Sequence, residues 1–224
     1  MRVYLAKNLR EANQSNALDN RKILDEKRIL LVNIIGSPGS GKTTLLEHTL
    51  KIISKGYRAA VIEADLYTSE DSGRLEPWCE TVLQINTEGG CHLEAGYIGH
   101  LLTAEAPYLL DMDIIFIENI GNLICPAEFD LGEDLRVTLL TVTEGNDKPR
   151  KYPLAYQDSQ ATLITKTDLL PYCSFDLNEA LNDLKMINTA IKVFPLSVQT
   201  GNGIGDWIQW LKAHVEAKKN YAGN

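Results

Sequence analysis

Gly36-Ser37-Pro38-Gly39-Ser40-Gly41-Lys42-Thr43 is a full G-x-x-x-x-G-K-[ST] phosphate-binding loop. Before it runs Ile29-Leu-Leu-Val-Asn-Ile-Ile35, a β-branched apolar segment that reads as a buried strand. After it, Leu45, Leu46, Thr49, Leu50, Ile52 and Ile53 recur at helical spacing between Thr44 and Lys55. Glycines let such a backbone curl until its N–H groups point inward, and the following helix N-terminus adds partial positive charge. Gly36, Ser37, Gly39, Ser40, Gly41, Lys42, Thr43 and Thr44 are therefore expected to cradle a triphosphate. Lys42 is placed to reach its β- and γ-phosphates, and the Thr43 hydroxyl to ligate Mg²⁺.

Working outward, apolar strands and helical patterns alternate along the chain. Strands are predicted near 29–35, 58–63, 81–86, 113–118, 135–142, 160–165 and 191–196, and helices near 43–55, 91–105, 176–188 and 203–217. Continuous apolar strands such as Ile114-Ile-Phe-Ile117 suit a parallel sheet covered on both faces. The fold class is thus α/β, a doubly wound and mostly parallel sheet with ligands at the carboxyl ends of its strands. Residues 1–28 read as a helical extension, 29–218 as one nucleotide-binding domain and 219–224 as a tail. The net charge of −8 leaves no basic stripe for nucleic acid. No apolar run is long enough to span a membrane, and no signal-peptide h-region opens the chain, so a cytoplasmic location is expected.

Thr165-Lys166-Thr167-Asp168 follows a late strand and resembles the [NT]-K-x-D base motif of GTPases. A carboxylate at its fourth position can accept from both N1–H and N2–H₂ of guanine; adenine offers no such pair. Lys166 is expected to buttress the phosphate loop, and Ser197-Val198 to cap the base from the other side. Two strand ends offer carboxylates for Mg²⁺ and water: Glu63-Ala64-Asp65 and Glu118-Asn119-Ile120-Gly121. The second has the layout of a D-x-x-G switch with Glu in place of Asp, so Gly121 is expected to follow the γ-phosphate. The longer Glu118 is expected to hold Mg²⁺ through water, and Asp65 is the better candidate for positioning metal or orienting the attacking water. No Gln or Arg stands in an evidently catalytic place, which predicts slow intrinsic hydrolysis.

A second chemistry stands apart from the phosphate loop. Cys91-His92 is expected to open a helix, whose N-terminal potential would lower the thiol pKa. Cys125 lies four residues beyond Gly121, stiffened by Pro126. Thiolates with imidazole suit Ni²⁺ or Zn²⁺, and three such ligands become a fuller set where two copies meet across a two-fold axis. Cys79 and Cys173 lack such surroundings, and His48, His100 and His214 are expected to pack or face solvent.

Taken in order, the phosphate loop, Glu63-Ala-Asp-Leu-Tyr-Thr-Ser69, Gln84 through Ala95, Glu118 through Gly132, Val142 through Pro149 and Lys151-Tyr-Pro153 resemble the HypB family over nearly the whole chain. The resemblance implies a SIMIBI-class P-loop GTPase that assists nickel insertion into [NiFe]-hydrogenase. It also implies GTP and GDP as ligands, a homodimer promoted by GTP, and a nickel or zinc site at the dimer interface made by Cys91, His92 and Cys125. Partners so implied are other hydrogenase maturation proteins and the hydrogenase large subunit. Lys148 is implied at the dimer interface, near the partner's nucleotide. Three departures stand out: no Cys-rich or His-rich N-terminal tract, Ala64 in place of Gly, and Thr165 in place of Asn. Two other readings are a urease-type nickel GTPase and a non-catalytic, GTP- and zinc-dependent regulatory dimer. Contiguous Cys91-His92 departs from the Cys-Pro-His of the urease type.

Overall fold

The computed structural model describes residues 7–65, 72–87 and 89–220. Among the described residues seven strands form one sheet: β1 (Leu30–Gly36), β2 (Ala59–Asp65), β3 (Thr81–Asn86), β4 (Ile114–Gly121), β5 (Leu135–Thr141), β6 (Ala161–Thr165) and β7 (Lys192–Pro195). Their order is β3-β2-β4-β1-β5-β6-β7, and each neighbouring pair runs parallel. The chain reverses its direction of growth across the sheet on either side of β1. The carboxyl ends of β1 and β4 therefore frame the crevice where ligands bind in such sheets.

The continuous apolar runs have a simple cause. Successive strand residues face opposite sides, and here both sides are covered. Leu30, Val32 and Ile34 pack with Leu45, Leu46 and Leu50 of α2 (Lys42–Ile53) and with Trp207 and Leu211 of α9 (Ile204–Lys219). Trp207 Nε1 donates to Thr49 Oγ1 at 3.0 Å, tying α9 to α2. On the other face Leu31, Ile115 and Ile117 meet Leu24 of α1 (Lys7–Lys27) and Ile98 of α4 (Ala95–His100). Toward β6, the same face packs Leu140 and Ile164 against Ala180 and Leu184 of α8 (Leu177–Ile187).

The remaining α-helices among the described residues are single turns: α3 (Ser72–Leu75), α5 (Cys125–Glu128), α6 (Lys148–Lys151) and α7 (Leu154–Gln157). None was predicted, because four residues carry too little periodicity to read. One expectation fails outright. The helix expected over 91–105 begins only at Ala95, behind an extended Glu94, and leaves the α-helical pattern after His100. Cys91 and His92 lie in the preceding bend rather than at a helix N-terminus.

Helix α1 is stitched to α4 and to the segment before β5 by buried polar side chains. Asn13 Oδ1 accepts from Ala95 N and its Nδ2 donates to Asp130 O, each at 2.8 Å. Asn20 Nδ2 donates to Ala95 O and Leu131 O. Lys218, buried at the end of α9, bridges Asp25 of α1 and Asp134.

Candidate functional site

The phosphate loop links β1 to α2 at the crevice. Gly39 (φ 73°) and Gly41 (φ 95°) hold left-handed conformations that side chains resist. Lys42 and Thr43 are buried, with Lys42 Nζ 3.5 Å from Gly36 O. A cavity of about 520 Å³ opens here, lined by the loop, Thr44, Glu63, Glu118, Gly121 and Lys166 among others. Its size is that of an ordinary small-ligand pocket.

Two floor carboxylates lie in register: Glu63 of β2 pairs with Glu118 of β4, and both are buried. Thr43 Oγ1 donates to Glu118 Oε1 at 2.7 Å. A hydroxyl beside carboxylates is a hard-oxygen donor set, and such a set suits Mg²⁺. Ser40 Oγ is buried and has no hydrogen-bond partner among the described residues, leaving one more hydroxyl for a bound group. Asp65 closes β2, but its side chain lies outside the described residues, as does the Leu66–Ser69 part of that stretch.

Arg74 was not singled out from sequence, and Glu63 only as part of the Glu63-Ala64-Asp65 strand end, where Asp65 was preferred. Glu63 faces the cavity because β2 runs in register with β4, a pairing that no local pattern reveals. Arg74 also lines the cavity, at a position the sequence did not mark as catalytic. Its guanidinium donates to Thr44 Oγ1 (3.2 Å) and Glu47 Oε2 (2.9 Å) on α2. Lys51 and then Arg74 bond to Glu47, and despite partial burial they hold its carboxyl below the ordinary range.

The base motif is tied to the phosphate loop from behind. Thr165 Oγ1 donates to Ser40 O and Lys166 Nζ to Gly39 O, each at 2.7 Å. Lys166 itself is left-handed, with φ 58°. Ser197 Oγ donates to Asp168 Oδ1 at 2.5 Å, while Val198 packs against the core beside α9. On the other flank a Cβ on Gly121 would sit 3.0–3.2 Å from Pro38 of the loop. That position therefore excludes any side chain larger than hydrogen without a shift of the loop.

Only Asn122-Leu123-Ile124 separate Gly121 on this flank from Cys125 of the second cluster. Ligand atoms of Cys91, His92 and Cys125 all lie within 4.8 Å of one another. The Cys91 thiol donates to Cys125 Sγ at 2.8 Å, and this bond raises the Cys91 pKa above its ordinary value. The lowered pKa expected from a helix N-terminus is thus overturned, since no helix begins there. The His92 ring stacks on Phe129, centroids 3.8 Å apart. Asn122 Nδ2 reaches Cys91 O at 3.4 Å, linking the segment after Gly121 to the ligand bend. Two soft thiols and an imidazole, partly open to solvent, can take a borderline ion such as Ni²⁺ or Zn²⁺ and leave room for a further ligand. Cys79, half-buried, has its thiol pushed up to about 11 by desolvation and stands apart, as does Cys173.

Lys148 lies over the Tyr152 ring, 5.5 Å from its centroid, and 4.0 Å from Glu144 Oε2. With Pro38, Gly121 and Ile124 it lines a smaller cavity of about 240 Å³.

Comparison with known proteins gives concordant matches. A family model described as CobW/HypB/UreG, nucleotide-binding domain, matches residues 30–195. A hydrogenase maturation factor HypB from Azotobacter chroococcum is 40% identical over 216 residues, covering 96% of this chain and 70% of that protein. The crystal structure of the hydrogenase maturation factor HypB from Archaeoglobus fulgidus superposes with a TM-score of 0.86 at 35% identity, over 92% of this chain and 99% of that one. HypB from Helicobacter pylori, crystallised in complex with nickel, superposes at 0.85 and 30% identity, over 95% of this chain and 99% of that one.

Proposed function

The chain belongs to the HypB family, and from that membership and the geometry of its two sites we propose that it is a GTP-hydrolysing nickel chaperone serving [NiFe]-hydrogenase maturation. The observation that carries the reading is continuity. Gly121 abuts Pro38 of the phosphate loop, and the same segment runs directly into Cys125, whose sulfur meets Cys91. A loop that answers to the γ-phosphate at one end and holds a metal ligand at the other can exchange one state for the other.

In this reading the loop amides and Lys42 hold the phosphates, and Asp168 selects guanine while Ser197 orients it. Lys166 and Thr165 keep the loop in shape. Thr43 and Glu118 would hold Mg²⁺, which supplies charge neutralisation at the β- and γ-phosphates. Glu63 and Asp65 are the strand-end carboxylates available to orient water. Nickel is the cargo; the ligand set also accepts zinc, and reduced thiols suit a cytoplasmic protein. Three ligands in one copy leave the set incomplete, and Ile124 beside Cys125 is 56% exposed. Both favour a dimer that pools two clusters when GTP is bound, with Lys148 near the joint. Hydrogenase maturation proteins and the hydrogenase large subunit are the partners to which the family membership points.

The test measures nickel binding and mass by light scattering, once with GDP and once with a non-hydrolysable GTP analogue. Nucleotide-dependent dimerisation and nickel affinity that differs between the two states support the reading. Absence of nickel binding in both states overturns it. Nickel binding without any measurable turnover of GTP favours the non-catalytic regulatory dimer instead.

A further inference from the structure

Glu118 and Asn119 are consecutive on β4 and so face opposite sides of the sheet. Glu118 looks into the phosphate cavity, where it accepts from Thr43. Asn119 looks the other way and begins a buried polar chain. Its Nδ2 donates to Asn33 Oδ1 at 3.2 Å, and Asn33 Nδ2 donates to Glu133 Oε1 at 3.3 Å. Glu133 is paired with Arg136 at 2.7 Å, the two side chains only 5% and 7% exposed. Arg136 then donates to Ala127 O (3.0 Å) and Phe129 O (3.1 Å), the carbonyls just after Cys125, and the Phe129 ring carries His92. The chain thus starts at the nucleotide switch and ends on the carbonyls of Ala127, two residues beyond Cys125, and of Phe129, whose ring stacks on His92.

The placement is not needed for core filling. Asn33 and Arg136 pair in register on β1 and β5, the face where their neighbours Leu31 and Leu140 are aliphatic. A buried arginine that spends three donors on two carbonyls and a carboxylate fixes the course of a loop. The loop fixed here carries Cys125 at one end and the ring under His92 at the other.

We propose that Glu133 and Arg136 are positioning residues for the Cys91–His92–Cys125 cluster, and that the buried chain from Asn119 passes the nucleotide state to it. This rests on the nickel-binding reading above. A shift of the β4 end that breaks the Thr43–Glu118 contact displaces Asn119 on the far face. Arg136 then carries that displacement to residues 127–129, beyond Cys125.

The test titrates Ni²⁺ alone into wild type and Arg136→Lys, each with GDP and with a non-hydrolysable GTP analogue, and records the near-ultraviolet thiolate-to-nickel band. Lysine keeps the charge but cannot span two carbonyls and a carboxylate together. Nickel affinity is expected to fall about 10- to 100-fold, the scale of losing a partner that orients a ligand. The band should shift, the difference between nucleotide states should collapse, and GTP affinity should stay within about twofold. Wild-type nickel affinities in a folded Arg136→Lys protein overturn the proposal. Where Arg136→Lys does not fold, Phe129→Leu decides. It leaves the ion pair intact and removes the ring under His92, so an unchanged band and affinity there overturn the proposal. Wild type that binds nickel equally in both states overturns the transmission, and wild type that binds none overturns the functional reading itself and the proposal with it.

Discussion

Thr43 Oγ1 donates to Glu118 Oε1 across 2.7 Å, joining the end of the phosphate loop to the carboxyl end of β4. In the function proposed above these two oxygens would hold Mg²⁺. Glu118→Ala should therefore cut GTP turnover about 100-fold, the scale of losing one preorganised electrostatic group. GDP affinity without Mg²⁺ should barely change. The measurement is the Mg²⁺ dependence of steady-state hydrolysis, and an unaltered dependence rules the assignment out.

Asp168 should set the choice of base. Asp168→Asn loses a charged acceptor for two guanine N–H groups, weakening GTP by about 2–3 kcal/mol. The same change admits xanthosine triphosphate, whose O2 can accept from the new amide. Ser197→Ala should cost less, about 0.5–1.5 kcal/mol, since it removes only the hydrogen bond that orients Asp168. Calorimetry with the two nucleotides separates these outcomes, and equal ATP and GTP binding by wild type would refute both.

Arg74 is held beside the cavity by Glu47 and Thr44. A guanidinium lining the cavity that would hold the phosphates should count more in the transition state, where charge grows on the transferred group. Arg74→Ala is expected to lower kcat about tenfold or more with little change in GTP affinity. Because the Glu47 carboxyl is held below its ordinary range, its contribution is present at neutral pH and lost only as the solution turns acidic through that lowered value. The tether thus survives across the working range. A change confined to KM would place Arg74 in ground-state binding alone.

The Cys91 thiol should be sluggish without metal. Its bond to Cys125 raises its pKa, so it stays protonated, and the bond's contribution is lost only as pH climbs toward that raised value. Cys125→Ala removes the acceptor and returns Cys91 toward the ordinary thiol range. Iodoacetamide labelling at pH 8, resolved by mass spectrometry, should then be several-fold faster at Cys91. Equal rates in the two proteins would mean that the sulfurs do not share a proton.

Much of this was legible in the residues because it was local. The phosphate loop, the strands flanking it and the Thr165–Asp168 turn are contiguous runs whose chemistry depends on short spacing. Thr165 in place of Asn looked like a departure, yet its hydroxyl supplies a tether to Ser40 O. Cys91, His92 and Cys125 could be assembled from sequence because their soft chemistry is rare. The start of α4 could not, since Gly89-Gly90 and the apolar residues after them read equally well as a helix opening. Arg74 escaped notice, and Glu63 was passed over for Asp65, because what makes them face the cavity is strand register and the packing of α3. The Asn33–Glu133–Arg136 chain was beyond reach, being built from residues about 100 positions apart that look like ordinary surface polarity.

Lys166 carries a further consequence. Its backbone is left-handed while its ammonium holds Gly39 O. An L-residue in that conformation is disfavoured by about 1–2 kcal/mol, whereas glycine is not. Lys166→Gly should therefore melt at a higher temperature while holding GTP less well. A library screened for heat resistance would drift to glycine here, and one screened for nucleotide occupancy would drift back to lysine. Consensus-guided stabilisation of this protein has to leave position 166 alone.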